Sequence, residues 1–225
     1  MRSKRFKANV ASVEKGKSYN LDQAIELLKG FQKAKFDETV EVHFRLNINP
    51  EKTEQQVRGN ADLPHGTGKV IKIAVFTDDD KSALAAKKAG AQIVGGENLI
   101  TEIQTKGSID FDVAVATPDM MPKMAKIAKI LGPKGLMPNP KNDTVTTNVE
   151  KVVSELLKGK ISFKSDKLGI VHTTLGKISF ENTALKENYE TLLKTLEKTK
   201  PAGVKGKFIK SIVLSSTMGP GIRLL

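Results

Sequence analysis

Between residues 39 and 49 apolar and polar residues alternate without a break: Val40, Val42, Phe44, Leu46 and Ile48 against Glu41, His43, Arg45 and Asn47. A period of two places each set on its own face of a strand. One buried and one wet face predicts an antiparallel sheet. Upstream, Leu21, Ala24, Ile25, Leu28 and Phe31 recur at helical spacing, with Asn20 placed to cap the helix and Gln23 at the capping-box position. A weaker strand follows at 57–63 and ends at 64–68, Pro-His-Gly-Thr-Gly.

At Val70 the pattern changes. Residues 70–76 are almost continuously apolar, which predicts a strand covered on both faces. Helices are expected over 80–88 and 98–106, strands over 91–94 and 111–116, then helices over 121–131 and 148–158. Strands alternating with helices predict a small, parallel, doubly wound sheet. After Lys158-Gly-Lys160 the antiparallel style returns. Residues 161–163 and 169–173 read as a strand pair around a turn at 166–169, with 177–180 as an extension. A long helix at 182–198 carries Leu185, Tyr189, Leu192, Leu193 and Leu196 on one face, and 208–214 is a last strand.

The expected fold class is α/β with two domains. A discontinuous α+β domain is built from both chain ends, residues 1–67 and 159–225, and a Rossmann-like α/β domain is inserted at 68–158. Gly66, Gly68 and Gly159 at the two crossings would make a hinge.

Charge sharpens the picture. The chain has 37 Lys/Arg against 25 Asp/Glu, a net +12 over 225 residues, which points to a polyanionic partner. Residues 67–159 hold 13 Lys/Arg and 11 Asp/Glu, leaving 24 and 14 on the outer segments, so the ends carry +10 and the middle +2. Arg2, Lys4, Arg5, Lys7, Lys15 and Lys17 show little periodicity and read as a flexible basic arm, gripping phosphate or simply solvated. The absence of cysteine excludes thiolate metal sites and disulfides. With no secretory h-region and no apolar run of membrane length, a cytoplasmic protein without membrane association is expected.

An enzyme is poorly supported. His65-Gly-Thr-Gly-Lys69 resembles half a phosphate loop but leads into a strand where a P-loop opens a helix. Asp78, Asp79 and Asp80 sit where α/β sheets bind ligands, yet acids there more often cap the following helix. His43, His65 and His172 lack metal-ligand spacing. Neither a catalytic constellation nor a cofactor is expected.

RNA binding has better grounds. Glu41, His43 and Arg45, with Lys35 and Phe36 just before that strand, mix donors, an acceptor and an aromatic ring. On its own, Phe36 at a helix–strand junction would pack inward more often than not. Ser211 and the 217–221 turn offer hydroxyls and a glycine backbone that a sugar-phosphate can approach. With only 5% aromatics, shape, 2′-hydroxyl and phosphate contacts are expected in place of base stacking. The stretch Leu131-Gly-Pro-Lys-Gly-Leu-Met-Pro-Asn-Pro140 can neither continue a helix nor enter a sheet. It reads as a stiff surface loop pinned by Leu136 and Met137, with Lys134, Asn139 and Lys141 outward, or as an ordinary structured connection.

These residues carry a resemblance. Lys35-Phe-Asp-Glu-Thr-Val-Glu-Val42, Val57-Arg-Gly59, Leu63-Pro-His-Gly66, Val94-Gly-Gly-Glu97, Ala116-Thr-Pro-Asp119, the 130–140 segment and Ser216-Thr-Met-Gly-Pro220 occur in that order. Together they resemble the family of large-subunit ribosomal protein L-one in its bacterial form, the protein of the mobile side stalk beside the tRNA exit site. The resemblance implies that the end-built domain binds structured large-subunit rRNA through Lys35, Phe36, Thr39, Glu41, Ser211, Thr217, Met218 and Gly219, with Lys164, Lys167 and His172 as weaker members. It implies further that the inserted domain reaches other stalk rRNA and the departing tRNA through Gly132, Lys134, Gly135, Asn139 and Lys141. It also implies other ribosomal components as neighbours, a monomer when free, and repression of its own operon through an mRNA mimic of the rRNA site.

Overall fold

A computed structural model describes residues 3–14, 16–204 and 206–224, the side chains of Thr53 and Lys141 excepted. In chain order its elements are α1 (Lys4–Ala11), α2 (Leu21–Gly30), β1 (Thr39–Leu46), β2 (Arg58–Asp62), β3 (Ile73–Phe76), α3 (Asp80–Ala89), β4 (Ile93–Gly95), α4 (Glu97–Lys106) and β5 (Val113–Ala116). There follow α5 (Met121–Met124), α6 (Ala128–Leu131), α7 (Val149–Lys158), β6 (Lys160–Lys164), β7 (Ile170–Lys177), α8 (Asn182–Lys198), β8 (Ile209–Ser216) and β9 (Ile222–Arg223). The chain divides into two compact units, Met1–Lys69 with Ile161–Leu225, and Val70–Lys160.

The first unit is organised by an antiparallel sheet in the order β7-β1-β8-β9. β1 comes from the N-terminal segment and lies between two strands from the C-terminal segment. Without both chain ends its ladder has no partners. Val40, Val42, Phe44 and Leu46 share a core with Leu175, Leu214, Ile25 and Leu28 of α2, and Leu185, Leu192 and Leu196 of α8. Phe44 stacks on Tyr189 with ring centroids 6.2 Å apart. Asn20 and Gln23 form the capping box of α2. β2 and β6 form a separate two-stranded sheet.

The second unit has a parallel sheet in the order β4-β3-β5. Ile73 and Val75 pack with α3 and α7 residues Ala86, Val152, Val153 and Leu156. Ala74 and Phe76 pack with Ile100, Ile103, Met120 and Met124 on the other side. Both faces of β3 are covered, which is why its sequence is apolar throughout.

Four readings need correction. The basic arm contains a helix: Ser3 caps α1 by accepting the Phe6 N–H, and the buried Asn9 exchanges hydrogen bonds with the backbone of Gln32. Arg2 and Lys15 lie outside the described residues. The strand pair expected around the 166–169 turn is reduced to one antiparallel bridge, Ser165 to Val171, with the Asp166 N–H donating to the Ile170 carbonyl at 2.8 Å. Beyond it β6 pairs with β2 and β7 with β1, and the Asp166 carboxylate closes the turn by accepting the Leu168 and Ile170 N–H groups. Val70 is 86% exposed and the strand begins only at Ile73. The helix expected over 121–131 is interrupted by a 3-10 turn at Ala125–Ile127, with Met120, Met124, Ile127 and Leu131 all buried in one cluster.

Candidate nucleic-acid interface

The segment before β1 and the turn after β8 meet. β8 runs antiparallel to β1 with Val40 opposite Ser216, so the end of one strand lies beside the start of the other. Thr217 Oγ1 accepts the Thr39 N–H at 2.9 Å, and the Thr217 N–H donates to the Thr39 carbonyl at 3.0 Å. Lys177 Nζ donates to Thr39 Oγ1 at 2.9 Å. Between the two segments lies Glu38, only 4% exposed. It accepts the Ser216 hydroxyl at 2.7 Å, the Ala34 N–H at 2.9 Å and the Met218 N–H at 3.1 Å, with Arg5 at 3.4 Å. Burial would raise its pKa, but the Ser216 hydroxyl, the two N–H groups and Arg5 outweigh it and hold the carboxyl below its ordinary value. A buried carboxylate thus ties the two segments into one rim.

On that rim Phe36 is 54% and Met218 51% exposed. Lys35 and Thr217 are exposed, and Thr39 and Gly219 half-buried. The inward packing favoured for Phe36 by its position alone does not occur. Ala34 and Glu38, on either side, are held by the carboxylate bonds, which leaves the ring at the surface.

The polar face of the sheet extends from the rim. Glu41, His43 and Arg45 of β1 stand opposite Ser215, Val213 and Ser211 of β8, and His43 stands opposite His172 of β7. Ser211 and Thr39 are therefore separated by the length of β1, about 20 Å at the usual rise per residue. The rim gathers Lys35, Phe36, Thr39, Thr217, Met218 and Gly219, while the face carries Glu41, His172 and Ser211. Exposed Lys164 and Lys167 lie on β6 and in the following turn, off this sheet. Glu38, Lys177 and Ser216 were not named as site residues by sequence reasoning, although Glu38 and Ser216 stand within two of the motifs that carry the resemblance; nothing local signals Lys177.

In the second unit, Leu136 and Met137 pack against the cluster of Met120, Met124 and Ile127. Thr144 locks the loop: its hydroxyl accepts the Asn139 N–H at 2.8 Å and donates to the Asn139 carbonyl at 3.1 Å. Thr144 in turn is tied to β5 through the Ala116 N–H at 2.9 Å. Gly132, Lys134 and Gly135 are exposed, and Gly135 takes φ +69°. Asn139 is half-buried, so it does not face fully outward; the Lys141 side chain lies outside the described residues.

Two of the three aspartates are spent on structure. Asp79 caps α3 by accepting from Ser82 Oγ at 2.8 Å and from the Ser82 and Lys81 N–H groups, and these bonds, the Ser82 hydroxyl first, lower its pKa. Lys123 bridges Asp78 at 2.5 Å and Glu97 at 2.8 Å, and both bonds push its pKa above the usual lysine range. Among the described residues no group of three His, Asp or Glu side chains is placed to hold a metal, and no helix is long and apolar enough to cross a membrane.

With this geometry in view, a protein-family model described as the ribosomal protein L1p/L10e family matches residues 28–220. The chain belongs to that family. Curated relatives match along 99% of the chain. The large ribosomal subunit protein uL1 of Thermosipho africanus is 51% identical over 222 residues, 99% of this chain and 95% of the relative. Proteins of the same name in Mesoplasma florum and Persephonella marina are 52% and 47% identical, each over 99% of this chain and over 97% and 93% of their own. The L1p/L10e match spans both units, including the rim and the 131–140 loop. Membership of a ribosomal-protein family makes the chain a structural protein and not an enzyme.

Proposed function

We propose that this chain is an rRNA-binding structural component of the large ribosomal subunit, acting in the cytoplasm and monomeric when free. One observation carries the reading: Phe36 and Met218, distant in sequence, stand exposed on one rim that a buried carboxylate holds together. The relatives' name, large ribosomal subunit protein uL1, supports the assignment.

The mechanism follows from the residue types. Lys35 offers a charge to phosphate, and the Phe36 ring and Met218 thioether offer apolar surface to a ribose or base. Glu41 repels phosphate but accepts from a 2′-hydroxyl, the group that separates RNA from DNA. Because β1, β8 and Glu38 fix these groups before binding, the surface suits a preshaped RNA and little ordering cost remains to be met. The +10 of the two chain ends supplies long-range attraction. Binding of a side-stalk rRNA fragment should weaken steeply and log-linearly with salt; an affinity indifferent to salt between 50 and 200 mM, on the order of the range where counterion release is felt, rejects the phosphate contacts.

For the inserted unit we infer contact with other stalk rRNA and with tRNA leaving the exit site, through Gly132, Lys134, Gly135, Asn139 and Lys141, so as to assist tRNA release. The support is a rigidly anchored loop with an exposed lysine and two exposed glycines. Ribosomes carrying Lys134→Glu should release deacylated tRNA more slowly; an unchanged rate rejects the role. A surface that reads RNA shape would also accept an mRNA folded like the rRNA site. Repression of its own operon on that basis predicts that the leader mRNA and the rRNA fragment compete for one site.

A further inference from the structure

The polar sheet face carries a chain of side chains that the rim does not use. Asp166, in the turn before β7, is linked through His172 of β7 and His43 of β1 to Ser215 of β8. His172 Nε2 lies 3.5 Å from Asp166 Oδ2, His172 Nδ1 lies 2.8 Å from His43 Nδ1, and His43 Nε2 lies 3.0 Å from Ser215 Oγ. The two rings meet edge to face with centroids 5.0 Å apart.

A 2.8 Å contact between ring nitrogens holds one hydrogen. When His172 donates from Nε2 to the Asp166 carboxylate, its Nδ1 must accept, so His43 donates from Nδ1. His43 Nε2 is then an acceptor, and the Ser215 hydroxyl donates a hydrogen bond to it. Adding one proton to the pair changes only the far end. His43 Nε2 becomes a donor, Ser215 Oγ accepts from it, and the Ser215 hydroxyl proton turns outward as a free donor. The same event places a positive charge on the face.

The surroundings set when that proton arrives. Burial, then the neighbouring His172, lowers the His43 pKa from its ordinary value, with Glu41 opposing. In the free protein His43 is therefore biased toward its neutral form. Two backbone N–H groups and His172 hold Asp166 below the ordinary carboxylate value against the effect of burial, so it stays ionised throughout. Arg45 on β1 and Arg223, opposite Val213 on β9, share the face, and Lys167 lies in the turn with Asp166. Arg45, Arg223 and Lys167 set against Asp166 and Glu41 leave the setting at a net +1, which draws an anion to the pair, and the anion in turn favours the extra proton.

We infer that His43, His172 and Ser215 form a proton-coupled subsite that takes a phosphodiester oxygen of RNA, one proton from solvent being bound as the phosphate docks. The subsite rests on the reading of this sheet face as RNA-facing. No covalent bond changes other than N–H formation on the imidazole pair.

The test is calorimetry of the full chain with a side-stalk rRNA fragment at pH 7, in buffers of different ionisation enthalpy, together with dissociation constants from pH 6 to 8. The wild type should take up close to one proton and bind more tightly as pH falls, by up to about tenfold per pH unit, the limit for one linked proton. His43→Gln/His172→Gln should lose the gain in affinity at low pH, with no proton uptake from this pair and a flatter pH profile. Should that variant fail to fold, the wild-type imidazole resonances give an independent reading: the midpoint of the pair should rise when the fragment binds. RNA binding with no proton uptake, uptake undiminished in a folded double variant, or an unmoved imidazole midpoint overturns the subsite alone. No RNA binding at any pH overturns the functional reading and the subsite together.

Discussion

The Glu38 carboxylate accepts the hydroxyl proton of Ser216 at 2.7 Å across 178 residues of sequence. Its other bonds reach Ala34 on one side and Met218 on the other, so a single side chain sets the spacing of the rim. Glu38→Ala strands a hydroxyl and two N–H groups in a buried site. A stability loss of about 3 kcal/mol is expected for such a removal, measured by urea unfolding, along with weaker rRNA binding in conditions where the variant stays folded. A loss within the ordinary range of surface substitutions would show that Glu38 does not hold the rim.

The same residue sets an acid limit. Its folded-state pKa lies below its unfolded value, so its contribution is fully present above the ordinary glutamate pKa of about 4.3 and is lost as pH falls through the folded value. Stability should therefore decline below about pH 4.5. Glu38→Gln should be less stable than wild type at pH 7 and lose less of its stability on acidification. Parallel acid profiles for the two proteins would assign the decline to other carboxylates.

Thr217 and Met218 separate binding from folding. Met218 is half-exposed, so Met218→Asp puts a negative charge on the rim with little effect on the core and should raise the Kd for rRNA roughly tenfold or more, on the scale of about 1–3 kcal/mol per contact. Thr217→Val also removes the acceptor for the Thr39 N–H and should cost about 1 kcal/mol of stability besides. Native-like circular dichroism with unchanged rRNA affinity in both variants would remove this turn from the interface.

Asn188 lies fully buried on α8, on the same side as its leucines. Its side chain donates to the Leu175 and Gly66 carbonyls at 2.7 and 3.0 Å and accepts the His65 N–H at 3.1 Å. It thus fixes the end of the N-terminal segment against α8 and β7 within the first unit. Asn188→Leu restores an apolar face but orphans three backbone groups, and should destabilise by about 2–4 kcal/mol. A stabilised variant would show that the apolar helix face, not the backbone bonding, governs this site.

The inserted unit's acidic trio gives a simple contrast with an enzymatic reading. Asp78 and Asp79 already serve Lys123 and the α3 cap, so Mg²⁺ or ATP should leave the Tm unchanged; a clear rise would reopen that reading.

Much of the fold was legible because the relevant forces are local. The alternation at 40–48 announced the central strand, the near-continuous apolar run at 70–76 announced a strand covered on both faces although that strand starts only at Ile73, and Asn20 with Gln23 announced a helix start. Patterns with weak periodicity were less informative. α1 has almost no apolar face and exists through a serine cap and the buried Asn9, and β6 and β7 looked like one hairpin because adjacent strands usually pair.

The sequence by itself determined the apolar faces, the basic chain ends and the motifs that mark the family, since each is written in neighbouring residues. Tertiary structure alone decided that Glu38 meets Ser216, that His43 meets His172, and that Phe36 stays at the surface. Those outcomes depend on strand register between segments more than a hundred residues apart. Hydrophobic burial drives such segments together without direction, and only the register of the backbone ladder and the satisfaction of buried polar groups select which side chains touch.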